Sequence, residues 1–333
     1  MRFVVYGAGA VGSVLGGMLS LNRHDVRLIG RREHTDAVLR DGLRLKSTTA
    51  ESMAHPHASD TLTHGGPDPE CVLLAVKSGD LAAAIEALVA AVPANTPVVC
   101  LQNGVAAEEA VSRRFERVYG AVVRMTCSMV QPGHVAFQTG GRVITGKFPR
   151  GTDALARSLG AAFTASGFDG VVSKDIMADK WLKMAVNVQS VFHAVVDPRD
   201  HDTHEFQALK AGILDETRRV FKAAKIRARS CDGKDPSIEQ MIETLQRPHT
   251  RRTEHGVKVH NSVWQDLYLK RRAIEADFIH GPVIALGERH AVATPYNRAA
   301  LEIVNRCHRD ALGPESLRLS VVIAALEPGG AAS

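Results

Sequence analysis

Gly7-Ala8-Gly9-Ala10-Val11-Gly12 follows directly on the apolar run Phe3-Val4-Val5-Tyr6 and leads into an apolar stretch from Val11 to Leu21. A strand, then Gly-x-Gly-x-x-Gly, then a helix is an arrangement suited to binding phosphate. The first glycine permits the tight turn, and the second lets backbone approach a pyrophosphate. The third lets helix and strand pack closely, with the phosphates on the helix N-terminus. Gly7, Ala8, Gly9, Ala10, Val11 and Gly12 are therefore candidate dinucleotide ligands. A secretory signal over residues 3–19, with Arg2 as its charged end, is the competing interpretation. Five glycines between residues 7 and 17 suit an apolar signal helix poorly.

Cofactor choice should be written at the end of the second strand, where a carboxylate binds a ribose hydroxyl and an arginine accommodates a 2′-phosphate. The chain reads Leu28-Ile29-Gly30-Arg31-Arg32 there, and Glu33 comes too late to sit at the strand end. Arg31 is the expected 2′-phosphate ligand, which favours NADP (NADPH) over NAD. The plainer alternative is that both arginines are solvated on the following helix. Two more strand ends, Ala75-Val76-Lys77 and Leu101-Gln102-Asn103-Gly104, place polar side chains at the crevice edge of a parallel sheet. Lys77 and Asn103 would suit a ribose or a nicotinamide amide, although each alone would equally suit a solvated strand end.

Further on, Trp181-Leu-Lys-Met-Ala-Val-Asn187 puts Lys183 and Asn187 four residues apart on one face of an apolar helix. A lysine there either snorkels to water or is placed for chemistry. Ser262-Val-Trp-Gln265 reads as a capping box whose free N–H groups would suit a carboxylate. Glu275 follows in Arg272-Ala-Ile-Glu-Ala-Asp277.

The elements that must position these residues fall into two halves. Apolar strands at 3–6, 25–29, 71–76 and 97–101 alternate with helices, including 81–91, as in a doubly wound parallel sheet of Rossmann type. From 118 to 146, strands with Gly and Pro turns predict antiparallel extensions on that sheet, followed by a helix over 152–166 and a short strand at 171–172. After Ser173 the pattern is helical: 175–196, 204–225, 236–247, 262–290 and 296–310, with a break expected inside 262–290 at Lys270-Arg271-Arg272, since cations suit a helix C-terminus. The expected organisation is a dinucleotide-binding domain over 1–173, an all-helical domain over 174–326 and a disordered tail over 327–333. Residues 227–258, rich in charge, read as a mobile excursion around one short helix.

Composition narrows the partners. The 333 residues carry 41 Lys and Arg against 36 Asp and Glu, a net +5, with only 5% aromatics. Basic residues are scattered apart from Lys270-Arg271-Arg272 and Arg251-Arg252, which fits an anionic small ligand better than nucleic acid. No apolar run is long enough to span a membrane. Five widely spaced cysteines without a Cys-x-x-Cys point to reduced thiols in a cytoplasm. Among 15 histidines, His55-x-His57 and His201-x-x-His204 have metal-like spacing but no third ligand nearby, so no metal is expected.

Taken together, Gly7 to Gly12, Val76-Lys77, Gln102-Asn103-Gly104, Lys183-Met-Ala-Val-Asn187, Ser262-Val-Trp-Gln-Asp266, Glu275 and Thr294-Pro295-x-Asn297 resemble the ketopantoate reductase (2-dehydropantoate 2-reductase) family. The likeness runs over about residues 1–310, with the motifs in the family's order. It implies a Rossmann domain and a helical domain of the 6-phosphogluconate dehydrogenase-like kind, serving substrate and dimerisation. The active site would lie in the cleft between them, using NADPH. By this resemblance Lys183 looks like the general acid, and Glu275 like a catalytic residue that holds the substrate hydroxyl. Asn103 and Asn187 look like amides that position cofactor or substrate, Lys77 like a cleft lysine, and Ser262 like a ligand of the substrate carboxylate. The chemistry is coherent, because hydride delivered to a 2-keto carbon leaves an alkoxide that a nearby ammonium stabilises and protonates.

Three positions depart from the family pattern. Val191 and Val259 stand where substrate-facing amides are usual, and the segment from Asp266 to Glu275 is one residue longer than in compact members. A less polar pocket is therefore expected, one that favours a bulkier or more apolar 2-keto acid over ketopantoate. The leading function is NADPH-dependent reduction of a 2-keto acid, by default ketopantoate to pantoate in pantothenate biosynthesis. An opine-dehydrogenase-like enzyme and a non-catalytic NADP sensor are the alternatives, and the presence of both Lys183 and Glu275 counts against the sensor. The expected partners are a small-molecule substrate and a second copy of the chain.

Overall fold

Near-continuous apolar runs need cover on both faces, so they build a sheet flanked by helices. The structure, a computed structural model, describes residues 1–63, 68–247, 260–271 and 273–326. It divides the chain into two compact units, Met1–Lys180 and Trp181–Ser333.

The first unit runs β1 (Arg2–Tyr6), α1 (Ala10–Leu21), β2 (Asp25–Ile29), α2 (Arg32–Asp41), β3 (Leu43–Ser47), β4 (Glu51–Ala54), β5 (His57–Ser59) and β6 (Cys71–Leu74). It continues through α3 (Leu81–Ala91), β7 (Val98–Cys100), α4 (Ala107–Ser112), β8 (Val118–Arg124), β9 (Cys127–Gln131), β10 (His134–Phe137), β11 (Arg142–Lys147), α5 (Ala154–Ala165) and β12 (Asp169–Val172). The main sheet has the order β12-β11-β8-β7-β6-β1-β2-β5. Its pairs are parallel except for β8 with β11. Every residue of β6 and β7 is buried, as central strands of such a sheet require.

One expectation is corrected here. Only β11 extends the main sheet antiparallel to β8. The intervening β9 and β10 leave it and join β3 and β4 in a second sheet of order β4-β3-β10-β9. The cause is α1, which has apolar residues on all sides and must be covered on both. A Cβ on Gly16 would press on Leu28 of β2 at 2.5 Å, and one on Gly17 would press on Leu45 of β3 at 2.8 Å. The two adjacent glycines thus let one helix lie close against two sheets.

The second unit consists of helices. The unit boundary falls within α6 (Ile176–Val195), where the sequence pattern had placed it near residue 173. There follow α7 (His204–Ala223), α8 (Ile238–Gln246), α9 (Ser262–Tyr268), α10 (Ala276–Arg289), α11 (Pro295–Arg309) and α12 (Leu319–Ala324). Leu182, Met184, Ala185 and Val188 give α6 a fully buried face. The helical signal over 262–290 is interrupted beside the basic cluster, as expected from its cations. It breaks between Tyr268 and Ala276, with Lys270 at a φ of +47°. The charged excursion over 227–258 contains α8. Its remainder from 248 lies outside the described residues, as do Val259, Arg272 and the tail 327–333. No described helix is long and apolar enough to cross a membrane.

Candidate active site

The carboxyl edge of the main sheet gathers three chain segments by backbone hydrogen bonds. Gly7 and Ala8 donate their N–H groups to the Ile29 carbonyl at 2.9 and 2.8 Å, tying the glycine turn to the end of β2. Gly7 has a φ of +108°, and a Cβ there would lie 2.5 Å from the Val76 nitrogen, so the turn also abuts the segment after β6. A Cβ on Gly12 would strike the Gly7 carbonyl oxygen at 2.2 Å, whereas one on Gly9 would meet nothing within 4 Å. Gly9 therefore borders open space above the first turn of α1. That turn holds no acidic residue and has no side-chain cap. Free N–H groups at an open helix start fit a dinucleotide pyrophosphate.

Beside this turn, Arg31 is the N-cap of α2 and is exposed. Among the described residues its guanidinium has no carboxylate partner, while that of Arg32 reaches toward Asp36 and Asp60 at 3.9 and 4.0 Å. On the other side, Gln102 donates its side-chain N–H groups to the carbonyls of Leu74 and Val76 at 2.9 and 3.1 Å. This clamps the ends of β6 and β7 together, and places half-buried Lys77 and Asn103 just beyond them.

The sequence pattern gave no warning of what supports that clamp. The Lys180 ammonium donates to the Gln102 carbonyl at 3.1 Å and forms an ion pair with Glu108 of α4. Both side chains are almost wholly buried, and burial pushes the Glu108 carboxyl up despite the lysine beside it. A lysine inside an apolar helix three residues before Lys183 was the available signal.

In the helical unit, Lys183 and Asn187 are half-buried neighbours on the open face of α6. The Asn187 side chain has no hydrogen-bond partner among the described residues. One turn on, the Ser190 carbonyl accepts the side-chain N–H of Asn261 at 2.8 Å, which docks the start of α9 on this face. Asn261 also caps α9, its Oδ1 accepting from the Trp264 N–H at 2.9 Å. The expected capping box at Ser262 is thus corrected by one residue. Ser262 is the first helical residue, and its hydroxyl is uncommitted among the described residues. The Gln265 side chain donates instead to the His260 carbonyl.

Glu275 is brought back to α9 by Asp266, which shares a helix face with Ser262. The Asp266 carboxylate accepts the Glu275 backbone N–H at 3.1 Å and lies 3.4 Å from the Arg271 guanidinium, while its carbonyl accepts the Arg271 N–H. The break after α9 thereby brings the backbone of Glu275, a residue 8% exposed, back beside Asp266 of α9. Val191 is 1% exposed. It is closed off in the packing of α6, so the expected apolar pocket wall is not seen there. Among the described residues no group of three or more His, Cys, Asp and Glu could hold a metal ion.

A Rossmann-type sheet with an open glycine turn, followed by a helical unit with a lysine-amide face, fits the plan of a nicotinamide-dinucleotide oxidoreductase. The family is given by comparison. Residues 3–150 match the model for ketopantoate reductase PanE/ApbA, and residues 175–308 match the model for its C-terminal domain. The chain belongs to the ketopantoate reductase family. It is 26% identical to a 2-dehydropantoate 2-reductase of Pyrococcus horikoshii, over 89% of this chain and 94% of that one. It is similar to the crystal structure of a PanE/ApbA family ketopantoate reductase from Ralstonia eutropha JMP134, with a TM-score of 0.77, 26% identity, and coverage of 93% and 99%. A D-mandelate dehydrogenase solved with NADH and anilino(oxo)acetate shares the fold at a TM-score of 0.80 and 24% identity, with coverage of 94% and 100%.

Proposed function

We propose that this protein reduces a 2-keto acid to the 2-hydroxy acid with NADPH, and that ketopantoate, the substrate named for its relatives, is the first to test. The observation that carries the reading is the Asn261–Ser190 hydrogen bond, which seats the Ser262 end of α9 on the α6 face of Lys183 and Asn187. When bound, NADPH supplies the hydride. Gly7 to Gly12 would hold its pyrophosphate, Arg31 its 2′-phosphate, and Lys77 and Asn103 its ribose and nicotinamide end.

On the substrate, the Ser262 hydroxyl takes the carboxylate and Glu275 takes the hydroxyl. Asn187 orients the carbonyl, and the Lys183 ammonium stabilises the developing alkoxide and gives it a proton. The helical part from residue 174 would serve substrate and a homodimer contact. Five free cysteines suit a reducing cytoplasm.

The test is twofold. Purified protein should oxidise NADPH on addition of ketopantoate, and the gene should restore growth to a strain that requires pantothenate. Failure of both, with turnover of another 2-keto acid, would move the substrate and keep the reaction class. Failure with every 2-keto acid would overturn the reading.

A further inference from the structure

His34, in the first turn of α2, is buried at 6% exposure and sits between two backbone segments far apart in sequence. The Gly133 N–H, in the turn between β9 and β10, points at its Nδ1 at 3.0 Å. A backbone N–H can only donate, so Nδ1 is the accepting nitrogen and Nε2 carries the proton. Nε2 lies 3.0 Å from the Ser13 hydroxyl, which is fully buried in α1. Receiving that proton, Ser13 Oγ donates its own to the carbonyl of Ala8 at 3.2 Å, and its backbone N–H donates to the carbonyl of Gly9 at 2.8 Å. A single directed chain therefore runs from Gly133 through His34 and Ser13 to the middle of the glycine turn. Every donor in it meets an acceptor. Burial lowers the imidazole's pKa, which keeps it in the neutral form the chain requires.

We propose that His34 and Ser13 are positioning residues for the dinucleotide: the imidazole orients the Ser13 hydroxyl, and that hydroxyl holds the Ala8 carbonyl and with it the entry to α1, whose free first-turn N–H groups take the pyrophosphate. This rests on the dinucleotide reading of the glycine turn. The pyrophosphate is common to NADPH and NADH, so the pair sets affinity for both cofactors alike and leaves the choice between them to Arg31.

Two variants separate positioning from simple bracing. Ser13→Ala removes the hydroxyl. His34→Asn keeps an acceptor near the Nδ1 position for Gly133 but has no group at the Nε2 position for Ser13. Dissociation constants for NADPH and NADH are measured by nucleotide fluorescence, and thermal midpoints alongside, for wild type, each single variant and the double. Each single should weaken both cofactors by about three- to tenfold, the worth of one or two ordinary hydrogen bonds. The double should be no worse than the weaker single, because both changes cut one chain.

Unchanged affinities with lowered thermal midpoints would make the pair a brace only and overturn the proposal. Additive losses, or a shifted NADPH-to-NADH ratio, would overturn it too. Wild type that binds neither nucleotide would remove the reading beneath it, whereas failure to turn over 2-keto acids would leave this binding test standing.

Discussion

The Glu216 carboxylate in α7 accepts both the backbone and the side-chain N–H of Asn297, each at 2.8 Å, and the Tyr296 N–H at 2.8 Å. A side chain from one helix thus satisfies the first-turn donors of another, α11. Asn297 in turn turns its Oδ1 to His280 Nδ1 at 2.9 Å, which gives the Thr294-Pro295-x-Asn297 motif a packing role within the helical unit.

Glu216→Gln should lower stability at pH 7 by about 1–3 kcal/mol, because an amide NH₂ would then face a backbone N–H. The pH dependence has a definite sign. Burial holds the Glu216 carboxyl above its ordinary 4.5, against the pull of the Asn297 and Tyr296 hydrogen bonds. Folded protein therefore binds the extra proton, and this group's contribution falls as pH rises from the unfolded value through the folded one. Urea midpoints between pH 4 and pH 7 should show the gap between wild type and variant narrowing as pH rises. A widening gap would contradict the assignment.

Lys180→Met should be the harsher change, since it strands the fully buried Glu108 carboxylate. Breaking one side of a buried pair costs about 3–5 kcal/mol, while replacing both partners by apolar residues is often nearly neutral. Lys180→Met with Glu108→Leu should therefore recover most of the loss in denaturant midpoint. A double variant as unstable as the single would mean that the Lys180 bond to the Gln102 carbonyl, not the ion pair, carries the effect.

Arg31→Ala should weaken NADPH by about 10- to 150-fold, the worth of a charge-assisted contact to phosphate, and leave NADH nearly unchanged. Its exposed guanidinium at the start of α2 has no carboxylate to compete for it among the described residues. Equal weakening of both cofactors, read by titration, would mean that Arg31 supports the turn and does not read the 2′-phosphate.

What the sequence made legible is what depends on near neighbours. Gly7 to Gly12 could be read because a turn and a close helix–strand contact restrict residue type locally. Lys183 and Asn187 could be read because helical spacing alone puts them on one face. Ser262 was off by one position as a cap, since Asn261 and Ser262 are equally good cap residues and only the docking on Ser190 decides between them. The Lys180–Glu108 pair spans 72 residues and the His34–Gly133 bond 99, so no local pattern announces either. The second sheet was hidden for the same reason, because β3 finds its parallel partner only in β10.

Lys183→Ala should cut kcat by about 10²–10⁴-fold, the usual worth of a positioned proton donor, while NADPH affinity stays near normal. Single-turnover traces with saturating NADPH measure the hydride step directly. If the variant kept more than about a tenth of wild-type turnover, Lys183 would be a snorkelling lysine and another group would supply the proton.

Val191 tests whether substrate choice extends to this part of α6. A missing side-chain amide would cost the ketopantoate hydroxyl about 1–3 kcal/mol only where the position faces substrate, and only then would an apolar 2-keto acid gain in kcat/KM. Restoring the amide is not expected to help. At 1% exposure Val191 is enclosed, so Val191→Asn would bury a polar group among apolar neighbours and lower the thermal midpoint without improving ketopantoate against its competitor. Should Val191→Asn instead raise the relative kcat/KM for ketopantoate, the substrate must reach this part of α6, and the enclosure seen around Val191 must open on binding.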